Sequence, residues 1–160
     1  MNLKNFLTLF FVLMVSVQVK AESVWDKSEV QLAMPTEIVV YRSSTCGCCH
    51  KWVEHLKKHQ FTVKDIVTDD VNAMKQKYGV PAAMQSCHTA IINGYVIEGH
   101  VPAADIITLL AKRPKIVGIS VPAMPAGTPG MEMGGRKDPF DVVAFDKDGK
   151  FSVFNHYEGY

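Results

Sequence analysis

The sequence predicts an α/β fold in which a mixed β-sheet is flanked by helices. Short runs of β-branched and apolar residues alternate along the chain with segments of helical periodicity, the pattern of helices packed on a sheet. An Asn-Gly pair late in this alternation predicts a hairpin, and therefore antiparallel strands in addition to parallel ones. The 160 residues have the length of one domain with a short appendage.

The strands are predicted from β-branched and apolar runs that lie between turn residues. In chain order, these runs cover residues 38–41, 61–67, 89–92, 95–98, 140–145 and 151–154. Asn93-Gly94 connects the third run to the fourth, and a turn at Asp148-Gly149 connects the last two.

Helices are predicted between these strands, over residues 46–56, 71–78 and 102–110. The first has apolar residues at helical spacing, and Ser43-Ser44-Thr45 before it offers N-cap side chains. Asp69 or Asp70 can cap the second, and Pro102 is a favourable start for the third. The resulting order β-α-β-α-β-β-α is typical of a thioredoxin-like domain.

Residues 114–139 differ in composition, because proline and glycine alternate there with methionine. This composition predicts a loop, either ordered or a flexible flap. The loop offers no helix or strand face for packing, so Met124, Met131 and Met133 are candidate thioether ligands. The predicted domain spans residues 37–160. Within it, this loop and the hairpin that follows form an appendage over residues 114–160.

The first 21 residues are predicted to be a signal peptide. Lys4 supplies positive charge, an apolar run covers residues 6–17, and Val19-Lys20-Ala21 provides the cleavage position. The run is shorter than the roughly 20 residues that a membrane helix needs, so we expect no membrane attachment after cleavage. Residues 22–36 then form a polar N-terminal arm of an exported chain.

Three of the four cysteines lie in one short motif, Cys46-Gly47-Cys48-Cys49. A C-x-x-C pair at the start of a helix is typical of thioredoxin-like redox proteins, since the helix N-terminus stabilises a thiolate. A dithiol enzyme needs two sulfurs, however, and Cys48 adds a third. In the predicted fold Cys87 and His88 face this motif, at a place where thioredoxin-like domains usually carry proline. We therefore predict that all the cysteines converge on one metal site.

Copper fits this set of residues better than zinc. One zinc ion takes four ligands, such as Cys46, Cys49, Cys87 and His88, and leaves Cys48 unused. Cu(I) accepts thiolate and thioether ligands, and bridging thiolates let several ions share closely spaced sulfurs. Structural disulfides, for example Cys46–Cys49 with Cys48–Cys87, remain an alternative, although such a short loop adds little stability.

Histidines outside the motif are harder to interpret. His55 and His59 have the i, i+4 spacing of a metal-binding pair on a helix. They lie beside Lys57 and Lys58 with no third ligand nearby, so a solvent-exposed face is predicted for them. The residues alone leave the role of His100 undecided.

Four separated motifs resemble an exported metal-binding family that was formerly known only as a domain of unknown function and includes the copper-resistance protein CopG. They cover residues 45–49 with Trp52, 86–90, 94–102 and 121–132. The resemblance implies a thioredoxin-like fold, a periplasmic location and a role in copper handling, with Cys46, Cys48, Cys49 and Cys87 as sulfur ligands. His88, His100, Met124 and Met131 match family motifs and are added as candidate metal ligands. Ala123 stands where a glycine is expected in the family.

The sequence thus predicts a periplasmic protein of copper resistance that holds Cu(I), as a multinuclear thiolate cluster, for buffering, transfer or redox processing. Its expected partners are copper ions and other periplasmic copper-resistance proteins. With 17 basic and 16 acidic residues, the chain lacks the broad positive charge that nucleic-acid binding requires. Two alternatives stay open, namely a thiol–disulfide or copper oxidoreductase that uses Cys46 and Cys49, and a zinc-stabilised interaction module.

Overall fold

The protein is described by a computed structural model over residues 23–26 and 31–160, and the predicted signal peptide lies outside this part of the chain. Within it, the α-helices are α1 (Gly47–Lys58), α2 (Val71–Lys77) and α3 (Ala103–Lys112). The strands are β1 (Thr36–Arg42), β2 (Phe61–Val67), β3 (Thr89–Ile92), β4 (Tyr95–Glu98), β5 (Gly118–Ser120), β6 (Phe140–Phe145) and β7 (Phe151–Tyr157). Short 3₁₀ helices cover Val24–Asp26 and Ala82–Met84. In these ranges, no helix has the length and apolar character needed to cross a bilayer.

The strands form one mixed sheet in the order β2-β1-β3-β4-β5-β6-β7. β1 pairs in parallel with β2 and antiparallel with β3, and β4 pairs antiparallel with β3 and in parallel with β5. β6 and β7 follow as an antiparallel hairpin. The predicted α/β fold, with its mixed sheet, flanking helices, C-terminal loop and hairpin, is confirmed. The first seven regular elements also keep the β-α-β-α-β-β-α order on which the thioredoxin-like prediction rested.

The C-terminal hairpin continues the central sheet through β5, which the sequence analysis did not predict. β5 has only three residues, too few to show a periodicity within the glycine- and proline-rich stretch. Gly118 allows it to approach β4, since a Cβ atom there would lie 2.1 Å from the carbonyl oxygen of Val96. Residues 114–160 therefore share the sheet with the rest of the domain.

The helix α1 packs on the sheet through Trp52, Val53 and Leu56, which are fully buried as their helical spacing predicts. Each such side chain contributes roughly 1.5–3 kcal/mol of hydrophobic stabilisation. The indole of Trp52 also donates a hydrogen bond to the carbonyl oxygen of Val101 (2.8 Å). This packing holds α1 against the segment that leads into α3.

The loop between β5 and β6 packs against α1. Val121 and Thr128 are buried, so this part of the loop is ordered rather than a free flap. Gly130 has φ +84°, and a Cβ atom there would lie 2.8 Å from both the Cys48 carbonyl oxygen and the Trp52 nitrogen. Glycine is therefore required for the loop to approach the first turn of α1.

Candidate metal centre

The first turn of α1 carries the sulfur atoms of the C-x-C-C motif. Cys46 is the N-cap residue of α1, and its Sγ accepts the backbone N–H of Cys49 (3.3 Å). The predicted capping by residues 43–45 is wrong, because the hydroxyls of Ser43 and Thr45 bond to each other instead (3.0 Å). A cysteine at this position places its sulfur among the unpaired N–H groups of a helix N-terminus.

Two of these cysteines are oxidised. Cys46 and Cys49 are joined by a disulfide bond, whereas Cys48 and Cys87 are free thiols. The first bridge of the structural-disulfide alternative, Cys46–Cys49, is thus present, whereas the second, Cys48–Cys87, is not formed. The Sγ of Cys48 lies 3.5 Å from that of Cys46.

Cys87, in the loop before β3, faces this turn from the other side. The sulfur atoms of Cys46, Cys48, Cys49 and Cys87 all lie within 4.8 Å of one another. Burial and then the neighbouring Cys48 together raise the pKa of Cys87 to about 12. Without a bound cation Cys87 is therefore a neutral thiol, which a metal ion would deprotonate on binding.

His88 and His100 direct nitrogen atoms at the sulfur of Cys87. The Nδ1 of His88 lies 3.2 Å from that sulfur, and the Nε2 of His100 lies 3.1 Å from it. His100 donates its Nδ1–H to the carbonyl oxygen of Pro129 (2.8 Å), so its Nε2 carries the lone pair. Burial lowers the pKa of His100, which keeps the ring neutral and able to act as a ligand. Metal-binding histidines commonly donate their other ring N–H to a backbone carbonyl in this way.

His88 is fully buried, and its Nε2 has no hydrogen-bond partner among the described residues. Its ring packs against Trp52 with 4.3 Å between ring centroids. Burial lowers the pKa of His88 well below its usual range, and the nearby His100 and Lys75 act in the same direction. The imidazole is therefore neutral, and its polar contact is with Cys87.

The candidate methionines differ in their surroundings. Met131 follows Gly130 and is 7% exposed, so it is held in the part of the loop that contacts α1. Met124 and Met133 are 52% and 62% exposed. Ala123, next to Met124, has φ +59°, a backbone conformation that favours the glycine expected in the family.

His55 and His59 lie in a second group, with Asp26. The predicted solvent-exposed face is wrong, because the two histidines are 5% and 2% exposed. The 3₁₀ helix at Val24–Asp26 and the start of α3 cover this side of α1. Asp26 was missed because it is an isolated acidic residue in the predicted arm, with no motif around it.

The hydrogen bonds of this second group argue against a metal ion. The Nε2 of His55 accepts the backbone N–H of Ala103 (3.1 Å), so the proton of the neutral ring is on Nδ1, 3.4 Å from Asp26 Oδ1. The Nε2 of His59 donates to the carbonyl oxygen of Trp25 (2.7 Å). Both imidazoles thus hold other segments against α1. Asp26 takes part in this structural contact through His55.

The structure therefore separates the predicted ligands into groups. It brings Cys46, Cys48, Cys49, Cys87, His88 and His100 together, with Met131 in the adjoining loop and Met124 at the surface. The Pro129 carbonyl, which orients His100, was missed because a backbone acceptor leaves no signal in a sequence. The metal-binding role of every one of these residues stays a prediction.

The fold and this cysteine–histidine group define an α/β domain with a candidate metal centre at a helix N-terminus. A family described as "Protein of unknown function, DUF411" matches residues 84–131. Two solved structures, titled "Copper resistance protein copG- Form 1" and "Copper resistance protein copG- Form 2", are 49% and 48% identical in sequence. Each match covers 78% of this chain and 99% of the other, with a TM-score of 0.74. No curated protein matches the chain.

The chain therefore belongs to the family of the copper resistance protein CopG. The resemblance inferred from the sequence motifs is confirmed.

Proposed function

We propose that this protein binds copper as Cu(I), in a multinuclear cluster bridged by the thiolates of Cys46, Cys48, Cys49 and Cys87. It would buffer, transfer or redox-process the metal in the periplasm. The convergence of four sulfur atoms from two separate chain segments within 4.8 Å carries the proposal. The titles of the related structures support copper as the metal.

The arrangement around Cys87 supports more than one ion. This residue belongs both to the four-sulfur group and to a second group with His88 and His100. A thiolate can bridge metal ions, so its sulfur would link a sulfur-rich position to one that also has nitrogen ligands. Met131, and Met124 after a movement of the loop, would supply thioether ligands to the same ions.

The disulfide makes loading depend on reduction. An external dithiol must first reduce Cys46–Cys49, supplying two electrons and two protons and itself becoming a disulfide, and Cu(I) then displaces thiol protons as the thiolates form. The oxidised protein retains Cys48 and Cys87 as free thiols. We therefore expect the reduced chain to bind several Cu(I) ions and the oxidised chain to bind fewer.

An anaerobic titration with Cu(I) and a competing chelator tests this proposal. The reduced mature chain should saturate well above one ion per chain, because four sulfurs can share several ions. Cys48→Ser and Cys87→Ser should each lower that number. Saturation at one ion or fewer, or unchanged saturation in both variants, would contradict the cluster. A parallel zinc titration of the same samples tests the zinc-stabilised module.

A second candidate function is thiol–disulfide exchange, favoured by the disulfide at the N-terminus of α1. Cys46 and Cys49 would alternate between disulfide and dithiol, taking two electrons and two protons from a donor dithiol and passing them to a substrate disulfide. Insulin reduction at thioredoxin-like rates that survives Cys48→Ser would favour this function over the cluster. Activity that depends on added copper would instead indicate a copper oxidoreductase.

Export is part of the proposal. Signal peptidase would remove residues 1–21 and leave Glu22 as the first residue of the mature protein. N-terminal sequencing of protein from a periplasmic fraction checks this. An intact N-terminus, or protein confined to the cytoplasmic fraction, would contradict it.

A further inference from the structure

A buried ion pair lies directly behind the loop that carries Cys87. Glu98, at the end of β4, is completely buried, and Lys75 on α2 is 3% exposed. Lys75 Nζ donates to Glu98 Oε1 (2.5 Å) and to the hydroxyl of Thr89 (3.1 Å). The free-energy cost of removing two charges from water commonly exceeds the attraction between them in a buried pair. Fold stability alone is therefore a weak explanation for this ion pair.

The other bonds of Glu98 join the two ends of one short loop. Its Oε1 accepts the backbone N–H of Ser86 (2.7 Å), and its Oε2 accepts the hydroxyl of Thr89 (2.7 Å). Cys87 and His88 are the two residues between these contacts. One carboxylate therefore holds both sides of the segment that presents the facing thiol.

The backbone that carries this carboxylate also leads to the second histidine of the centre. Gly99 separates Glu98 from His100, and its N–H donates to the carbonyl oxygen of His88 (3.0 Å). A Cβ atom on Gly99 would lie 2.6 Å from the side chain of Ser86, so the two strand ends are already in close contact. The carboxylate and this backbone bond together thus hold the backbone from which Cys87, His88 and His100 all project.

We propose that Glu98, with its charge balanced by Lys75, is a positioning residue that holds Cys87 opposite the C-x-C-C motif before metal arrives. This inference rests on the proposed copper-binding function, and its geometric part can be tested without copper. Preorganisation of ligands reduces the ordering that binding would otherwise require. A chain without this carboxylate should fold, yet present Cys87 in a mobile loop and bind Cu(I) less tightly.

The test compares three variants. Glu98→Gln keeps the shape of the side chain but removes its charge. Lys75→Met combined with Glu98→Gln removes both charges, so that no unpaired ammonium is left buried. Asp105→Asn is the matched control, since Asp105 is also buried and accepts bonds from Asn155 and Tyr157 (2.8 Å each), but has no bond to the Cys87 loop.

The first measurement is alkylation of the metal-free protein by iodoacetamide, with the Cys46–Cys49 disulfide intact and the modified cysteines identified by mass spectrometry. Cys48 and Cys87 are then the free thiols, and Cys48 serves as the internal reference. In both Glu98 variants we expect the rate at Cys87, relative to Cys48, to rise at least about tenfold as the loop loosens. In Asp105→Asn this ratio should stay within about twofold of wild type.

The second measurement is the Cu(I) affinity of the reduced proteins. Both Glu98 variants should bind Cu(I) at least about tenfold more weakly than wild type. Asp105→Asn should bind it as tightly as wild type. Wild-type alkylation ratios in both Glu98 variants would overturn the positioning role, whether or not copper binds. An altered ratio in both Glu98 variants, together with a wild-type protein that fails to bind Cu(I), would overturn the copper function and retain the positioning role. An altered ratio with unchanged copper affinity would overturn the proposed effect on binding.

Discussion

His88 and His100 form one buried imidazole pair in this protein, and His55 and His59 form another. The ring centroids are 5.0 Å apart in the first pair and 4.7 Å apart in the second. Burial lowers the pKa of His100 and that of His55, so spacing and burial hardly distinguish the two pairs. Both also have a potential anionic ligand beside them, Cys87 in one case and Asp26 in the other.

The pairs differ in what their nitrogens contact. His100 uses one nitrogen on a backbone carbonyl and directs the other at a sulfur atom. The Nε2 of His55 accepts a backbone N–H, so its ring proton is on Nδ1 beside the Asp26 carboxylate, where a metal ion would need a lone pair. Buried histidines are thus candidate ligands only where a lone pair remains for the metal.

The largest expected effect compares one substitution in each pair. His100→Gln should lower Cu(I) affinity at least about 100-fold, or about 3 kcal/mol, because a nitrogen ligand is lost. His59→Gln should keep copper affinity within about threefold and instead lower the free energy of unfolding by about 1–2 kcal/mol, because a buried hydrogen bond is altered. Competition titration and urea unfolding of each variant check this. Equal loss of copper binding in both variants would remove the distinction between the pairs.

The next largest effect is expected from a substitution in the loop that packs behind His100. Gly130→Ala places a Cβ atom 2.8 Å from the Cys48 carbonyl at φ +84°, so we expect a loss of about 3 kcal/mol in unfolding free energy. Copper affinity should also fall, since the neighbouring Pro129 carbonyl orients His100. Gly135→Ala is the control, with no atom within 4 Å of its Cβ position, and should change neither quantity. Wild-type stability of Gly130→Ala in urea would contradict the close packing.

The contact between Asp26 and the histidine pair on α1 should make the free energy of unfolding depend on pH in the acid range. Hydrogen bonding to His55, and then to Lys58, lowers the pKa of Asp26 from 3.8 to about 2. This contribution is present above pH 4 and is lost as the pH falls through 2, because the unfolded state takes up the proton first. Between pH 5 and pH 2 the unfolding free energy of wild type should fall by about 2 kcal/mol more than that of Asp26→Asn. Parallel pH profiles of the two proteins, from urea unfolding, would contradict this contact.

The smallest expected effect concerns Ala123, whose carbonyl oxygen accepts the hydroxyl of Ser86 beside the Cys87 loop. Ala123→Gly should raise the unfolding free energy by up to about 1 kcal/mol, because glycine relieves the strain at φ +59°. Copper affinity should stay the same. Ala126→Gly in the same loop, where φ is not positive, should be destabilising. A lower urea midpoint for Ala123→Gly would contradict the assigned strain.

Much of the fold could be predicted because its signals are local. Three residues of α1, Trp52, Val53 and Leu56, show the helical spacing that their burial confirms, and Asn93-Gly94 marks the hairpin. The three-residue β5 left no such signal, since its place in the sheet depends on β4 and β6, which flank it. The burial of His55 and His59 was missed for a related reason: the segments that cover them are distant in sequence.

The sequence by itself determined which ligand types this protein has and at which element boundaries they lie, because residue chemistry and short-range periodicity can be interpreted without a third dimension. It also placed Cys87 opposite the C-x-C-C motif through the order of the elements. Only the tertiary structure decided which histidine nitrogens face the sulfur atoms and which are occupied elsewhere. That choice depends on backbone groups, such as the Pro129 carbonyl and the Ala103 N–H, whose positions arise from packing between distant segments.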